Sequence, residues 1–352
     1  MLNKDLIIIF TRFPVPGEAK TRLIPSLGKE GAANLQRHMT EYTLEQALRT
    51  GATVEVRYTG GSLEQMREWL GDAPVYAKQG DGNLGERMAR AFQMHFEAGA
   101  QRVVIVGCDC PDNRYLNMIE CFNLLENHHC VIGPAIDGGY YMIGLTRPTP
   151  ELFNHIDWGT RNVLQQTLTA SQERPKLMTE LSDVDLIADI PQKISVIIPT
   201  LNEADNILAA QEMVCSGFNV ECIISDGGST DGTSRLVLET SSLLVRSAPG
   251  RSLQMNNGAS VATGEILLFL HADTILPDNW DITVRTILTN REVVLGAFRF
   301  RVTEKLRGIG LVEWGTNLRS RLFSMPYGDQ ALFMTRDIFN QLGGFPDMPI
   351  LE

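Results

Sequence analysis

The sequence predicts an α/β protein of two consecutive domains, each an open parallel sheet covered by helices on both faces. Three observations predict it. Short apolar runs alternate with stretches of helical spacing over residues 1–190, and the pattern restarts over 193–352. In each half an apolar run stops at an acid: "RVVIVGCDCPDN" delivers Asp109, and "EILLFLHADTILPDNW" delivers Asp273. A chain of 352 residues is also too long for one ordinary core, and suits two domains of about 150–200 residues.

The elements follow in order. "DLIIIF" reads as a buried strand, and "TRFPVPGEAKTRLIPSLG" as a long loop rich in proline and glycine. "KEGAANLQRHMTEYTLEQALRTG" has helical spacing and ends at Gly51. "TVEVRYTG" is a strand; "SLEQMREWLG" and "NLGERMARAFQMHFEAGA" are helices. "RVVIVGCD" is the next strand, with a helix after it over 116–126. "HCVIGPAIDGGYYMIGL" reads as a strand, a tight glycine-rich approach and a second strand. After a boundary near Pro191, "KISVIIPTLNE" is again a buried strand, followed by a helix over 204–215. The strand "VECIISDGGSTDGT", a helix from Ser234, a helix over 253–262 and the strand "EILLFLHAD" complete the series.

Composition excludes several classes. Hydrophobic residues make up 43% of the chain, so each half can bury a core. The net charge of −11 argues against nucleic acid as a partner, because no basic stripe is present to replace counterions. No C-x-x-C pair occurs among the six cysteines, which read as reduced thiols of a cytoplasmic protein. Cys108 and Cys110 flank Asp109 on the opposite face and read as packed. No apolar run approaches the roughly 20 residues of a membrane span. The start of the chain does not read as a signal peptide.

In open α/β sheets, ligands sit outside the carboxyl ends of the strands. The polar clusters of this sequence fall at those ends, at 11–22, Asp109, 137–139, 200–203, 226–233 and 271–273. Arg12, Lys20 and Arg22 surround the turn after the first strand, where cations and backbone N–H groups make a phosphate cradle. Asp273 at its strand end suits Mg²⁺ or Mn²⁺ held against a diphosphate. Read alone, Asp273 also suits a turn cap beside Thr274 and Pro277.

In the second half, "SVIIPTLNE", "ISDGGSTDGT" and "LFLHADT" occur in an order and spacing that resemble family 2 glycosyltransferases. The resemblance runs from Lys193 to the end of the chain. It implies a GT-A fold, the Rossmann-like fold of nucleotide-diphospho-sugar transferases. It also implies that Pro199, Thr200, Asn202 and Glu203 lie along the nucleotide, that Asp226 meets the base or ribose, and that Asp273 ligates the metal. Arg251 suits the diphosphate through its planar fork, and reads equally well as a surface arginine. "APGRSLQMNNGA" and "YGDQALF" are similar to transferases associated with arsenosugar biosynthesis genes. His271 departs from the family motif, which carries an acid there. Family 2 enzymes place the catalytic base in a Glu-Asp pair a few residues after Gly-Gly-Phe. Here Gly343, Gly344 and Phe345 lead to Glu352, where the sequence stops. The expectation is therefore a second domain incomplete at its C-terminus, with Glu352 as the first acid of the pair; Asp329 is a substitute candidate that reads more readily as shaping the acceptor loop. A chain so built is expected to bind a nucleotide sugar and transfer it poorly or not at all; the alternative is that the sequence is a piece of a longer protein that is active.

In the first half, "FTRFPVPGEAKTRL", "GDGNLGERM", "GCDCPD" and "DGGYYMIGL" resemble a bacterial family grouped with GT-A nucleotidyltransferases. Its relatives include the guanylyltransferases of molybdenum cofactor and 2-phospholactate metabolism. The resemblance implies that Lys20 and Arg22 meet a triphosphate and that Asp109 holds Mg²⁺. It sets Asp137, Gly138 and Gly139 against the second substrate, where glycine permits close approach. Trp158 reads as a buried tryptophan or as the wall of a sugar or base site.

The expected chain is thus two tandem GT-A domains, 1–190 and 193–352, acting on a nucleotide-diphosphate sugar or nucleoside triphosphate with Mg²⁺ or Mn²⁺. Its acceptor is left open. The first domain is either a nucleotidyltransferase or a second glycosyltransferase. A different class, a nucleotide-binding protein without turnover, is the alternative.

Overall fold

A computed structural model describes residues 4–301 and 330–346. The chain divides into two compact units, Met1–Ile190 and Pro191–Glu352.

The strands of the first unit are β1 (Asp5–Arg12), β2 (Thr53–Thr59), β3 (Val75–Lys78), β4 (Arg102–Gly107), β5 (Cys130–Pro134), β6 (Tyr140–Leu145) and β7 (Lys176–Leu177). They lie in the order β3-β2-β1-β4-β6-β5-β7. Strand β1 is buried on both faces, which explains its unbroken apolar run. Ile7 and Ile9 pack with Val54, Val56, Val104 and Val106 on one side. Leu6 and Ile8 pack with Met88, Phe92, Val103 and Ile105 on the other. Each such side chain contributes about 1.5–3 kcal/mol by leaving water.

The sheet is mixed, not wholly parallel as the alternation of elements suggests. Strand β6 runs antiparallel to both β4 and β5. The cause is the connection between β5 and β6, residues 135–139, which is too short for a crossover and permits only a hairpin. The hairpin therefore turns at the same sheet edge as the carboxyl end of β4, carrying Asp137 toward Asp109.

The second unit contains β8 (Ile194–Thr200), β9 (Val220–Asp226), β10 (Leu243–Arg246), β11 (Ile266–Phe269) and β12 (Leu332–Thr335). Their order is β10-β9-β8-β11-β12, with β12 antiparallel to β11. Ile194, Val196, Ile198, Leu268 and Leu270 face one layer. Ile197, Leu267 and Phe269 face Met255 and Ala259 of the helix Arg251–Val261.

Glu221 fastens the amino end of this second sheet. Its carboxylate accepts from Lys193 Nζ at 2.8 Å, Ser195 Oγ at 2.5 Å, and Thr263 N and Oγ1 at 2.6 and 2.8 Å. Partial burial alone would raise its pKa; the donors from Lys193, Ser195 and Thr263 outweigh burial and hold it down to about 2. The carboxylate thus stabilises the fold fully above its ordinary value near 4.5, and that contribution fades as pH falls through about 2. Glu221→Gln should lower stability at neutral pH by about 1–2 kcal/mol, allowing for solvent screening of a partly exposed group. Urea unfolding at a series of pH values checks this. The difference from the parent should be constant above pH ~5 and shrink toward pH ~2; a pH-independent difference would contradict it.

Candidate active site

In the first unit the loop after β1 leads to Lys20, which is held in the left-handed region at φ 45 and ψ 47. A short 3-10 turn, Thr21–Leu23, and the helix Ile24–Arg49 follow. This conformation is uncommon for a residue with a Cβ. It turns the Lys20 ammonium inward, where the side chain is only 8% exposed. Lys20 Nζ lies 2.6 Å from Asp109 Oδ1 and donates to Val184 O at 2.7 Å. Val184 N in turn donates to Asp109 O at 2.8 Å. One ammonium thus joins the loop after β1, the end of β4 and the segment 181–185. Arg22 pairs with Asp185, and Arg12 Nη1 donates to Glu18 O at 3.2 Å. Arg12, Lys20, Arg22, Asp109 and Asp185 line one cleft of about 260 Å³.

Asp137 sits in the β5–β6 turn, where its Oδ1 accepts from Gly139 N at 2.8 Å. The carboxylates of Asp137, Asp183 and Asp185 lie within 4.8 Å of one another. Burial raises the Asp183 pKa, and the negative charges of Asp137, Asp185 and Asp109 raise it further. Acids gathered this way repel one another and attract a cation. Asp183 and Asp185 are absent from the sequence-level candidates. The signal for them is "SDVDL", two acids flanking Val184, which is 1% exposed.

The structure therefore brings Arg12, Lys20, Arg22 and Asp109 together at one sheet edge, and groups Asp137 with the acids. Gly138, at φ 91, lets the turn pass the backbone of Arg161, which a Cβ would strike. Trp158 is half-buried rather than enclosed, and lines a second cleft with Asp137 and Gly139. Cys108 and Cys110 are buried thiols, and burial pushes their pKa values up to about 11 and about 12. They are packing groups, not nucleophiles.

In the second unit, two loops at the carboxyl ends of β8 and β9 are tied together. Asn202, at φ 60, accepts from Thr230 N at 2.9 Å through Oδ1, and its own N donates to Ser229 Oγ at 2.9 Å. Glu203 N donates to Thr233 Oγ1 at 2.9 Å, and Ala204 N to Asp231 Oδ2 at 3.0 Å. Asp226 is 3% exposed and accepts from Ser229 N, Ser229 Oγ and Ser234 Oγ. Its carboxylate is thus engaged in holding its own loop. Thr200 is buried and Pro199 half-buried at the end of β8. Asp273 is exposed just beyond β11, next to a turn in which Thr274 N donates to His271 O at 3.0 Å. Arg251 opens the helix Arg251–Val261 after Gly250. Asp329 and Glu352 lie outside the described residues.

A buried glutamine in each unit escaped the sequence reading. Gln79 Nε2 donates to Thr11 O at 3.0 Å and Arg57 O at 3.1 Å, spanning the ends of β1 and β2. Gln254 Nε2 donates to Thr200 O at 2.6 Å and Ser225 O at 2.9 Å, spanning the ends of β8 and β9.

Parallel-rich α/β sheets with phosphate-suited loops at their carboxyl ends define a tandem of Rossmann-like, GT-A-type units. Residues 43–160 match the family described as an uncharacterized protein conserved in bacteria, DUF2064. Residues 195–338 match glycosyl transferase family 2. A solved structure from Desulfovibrio desulfuricans G20, provisionally named a nucleotide-diphospho-sugar transferase, is 34% identical with a TM-score of 0.52. That match covers 54% of this chain and 86% of that one. The chain belongs to this nucleotide-diphospho-sugar transferase family, and it is an enzyme of the glycosyltransferase class. The mannosyltransferase PcManGT from Pyrobaculum calidifontis, in complex with GDP-Man and Mn²⁺, is 25% identical with a TM-score of 0.37. That match covers 44% of this chain and 48% of the mannosyltransferase, about half its length. Glucosyl-3-phosphoglycerate synthase of M. tuberculosis is 23% identical over 42% of this chain and 58% of its own, with a TM-score of 0.32. No protein of curated function matches the chain. Among the described residues, no helix is long and apolar enough to cross a membrane.

Gly138→Ala should destabilise the first unit by about 1–3 kcal/mol, because φ 91 is strained for any residue with a Cβ. Thermal denaturation reads this, and an unchanged melting temperature would refute the strain.

Proposed function

We propose that the first unit is a nucleotidyltransferase that joins a nucleoside triphosphate to a phosphorylated second substrate. The observation that carries this reading is the convergence of three cations and four acids on one sheet edge. Arg12, Lys20 and Arg22 suit a triphosphate, and Asp109, Asp137, Asp183 and Asp185 suit a cation. A simple glycosyl donor site needs only a diphosphate clamp; the separate cleft beside Asp137 offers room for a second, phosphate-bearing substrate. In the reaction, a phosphate oxygen of that substrate attacks the α-phosphorus of the triphosphate. The bond from the α-phosphorus to the bridging oxygen breaks, and pyrophosphate leaves. Lys20 and Arg22 neutralise charge developing on the departing pyrophosphate. Mg²⁺ or Mn²⁺ held by these acids would polarise the phosphoryl oxygens. Lys20 must then exchange its contact with Asp109 for the phosphates.

The second unit, on this reading, transfers a sugar from a nucleotide diphosphate to an acceptor. Pro199, Thr200, Asn202, Glu203 and Asp226 flank the nucleotide, Arg251 faces the diphosphate, and Asp273 holds the metal. The base, Glu352 or Asp329, takes the acceptor proton as the acceptor oxygen attacks the anomeric carbon. The arsenosugar association of the sequence motifs leaves the acceptor's chemistry open.

Incubation of the full chain with each common nucleoside triphosphate and a panel of organic phosphates should release pyrophosphate in at least one combination. Lys20→Ala with Arg22→Ala should cut that rate by about 10²–10³-fold, the scale of losing preorganised charge stabilisation. Release of nucleoside diphosphate from a nucleotide sugar by the first unit, without pyrophosphate from any triphosphate, would overturn the assignment.

For the second unit, Asp273→Asn should remove the Mn²⁺ dependence of nucleotide-sugar binding while leaving the melting temperature unchanged. Calorimetric titration with and without Mn²⁺ measures it. Retained metal dependence would show that another residue ligates the ion.

A further inference from the structure

The cleft beside the acids has mainly apolar walls. It measures about 180 Å³ and is bounded chiefly by Phe10, Leu84, Met88, Tyr140 and Trp158. Among its described lining residues Asp137 is the only charged group. The cations Arg12, Lys20 and Arg22 line the neighbouring cleft instead. Trp158 is set in place with care. Its ring meets Tyr140 edge-on, with centroids 6.3 Å apart and planes at 83°. It rests on Gly85, where a Cβ would come within 2.7 Å of the indole Cζ2.

An anionic group pushed into this cleft would leave water, find aliphatic and aromatic walls, and meet only the like charge of Asp137. A neutral group loses little on entry, and gains from a C–H or π face laid against the indole. On the reading of this unit as a nucleotidyltransferase, we infer that its second substrate is a phosphate ester with an uncharged body. That body sits against Trp158, and the phosphate emerges at the mouth of the cleft, where a cation held by Asp137, Asp183 and Asp185 would offset their charge. Phosphorylated hydroxy acids, whose body carries a carboxylate, are rejected. A sugar ring and an aromatic ring share the required face.

The test is a fluorescence titration of the full chain in Mg²⁺ with glucose 1-phosphate, phenyl phosphate, 2-phospholactate and 3-phosphoglycerate. Trp158→Phe identifies the part of the signal that belongs to Trp158. At least one neutral-bodied phosphate should bind with a Trp158-dependent change and about tenfold more tightly than either carboxylated one. Read by calorimetric titration, because the variants lack the reporting indole, Trp158→Ala should weaken that binding about tenfold, and Trp158→Phe less, since it keeps a ring. Whether glucose 1-phosphate or phenyl phosphate binds better tells the sugar source from the aromatic one. Equal or tighter binding of a carboxylated phosphate would overturn the inference. So would the absence of a Trp158-dependent response to both neutral-bodied phosphates, or an affinity unmoved by Trp158→Ala. Pyrophosphate release followed in parallel keeps the two readings apart. Neutral-phosphate binding without pyrophosphate from any triphosphate refutes the nucleotidyltransferase reading and leaves the cleft assignment standing. Pyrophosphate release driven by a carboxylated substrate does the reverse.

Discussion

Loops that hold a ligand at the carboxyl end of a parallel sheet depend on the last paired residues of its strands staying in place. A buried side-chain hydrogen bond to such a carbonyl contributes about 0.5–1.5 kcal/mol. Both units meet this constraint in the same way. Gln79 bridges the ends of β1 and β2, and Gln254 bridges the ends of β8 and β9, each with one amide nitrogen serving two carbonyls. The loops that carry Lys20 in one unit, and Asn202 and Ser229 in the other, start from strand ends fixed by these amides. Gly227 packs so closely on Gln254 that a Cβ would come within 2.9 Å of its amide nitrogen. The glycine of "SDGG" is therefore explained by the glutamine as much as by any ligand.

Above that shared base the units diverge. The first places opposite charges face to face, with Lys20 spanning three segments and the acids crowded behind it. The second has its polar side chains bonded to one another, and its outlying acid, Asp273, projects into solvent. At the opposite sheet edge of the second unit, Glu221 performs a purely structural task with the same functional group. The same functional group thus serves as scaffold at the amino end through Glu221 and at the carboxyl end through Asp226, while Asp273 is left exposed.

Much of this was legible in the sequence. The doubly buried strands β1, β4, β8, β9 and β11 declare themselves as apolar runs, and the acids at their ends mark the mouths of the sheets. The edge strands β3, β7 and β10 do not. Val75, Leu177 and Leu243 are 55%, 41% and 49% exposed, so no apolar run or clean alternation betrays them. They exist because a neighbouring strand supplies hydrogen bonds. Asp183 and Asp185 were hidden for a related reason: they follow an inconspicuous strand and reach the site only through the pairing of segment 181–185 with Asp109 and Pro134. Gln79 and Gln254 look like surface residues in a linear reading, because their burial is a product of tertiary structure. Trp158 illustrates the opposite case, a residue that reads as core material and lines a cleft.

The cross-tied loops of the second unit have an entropic consequence. Fixing a loop residue costs about 1–2 kcal/mol in lost backbone freedom, and flexible phosphate-binding loops meet that cost when the ligand arrives. Here Asn202, Ser229, Thr230, Asp231 and Thr233 hold one another through their own hydrogen bonds. The ordering is done during folding, so any ligand at these strand ends meets a surface of settled shape. Affinity in such a site follows from fit rather than from closure, and a ligand of the wrong outline gains nothing from a loop that cannot remould itself around it.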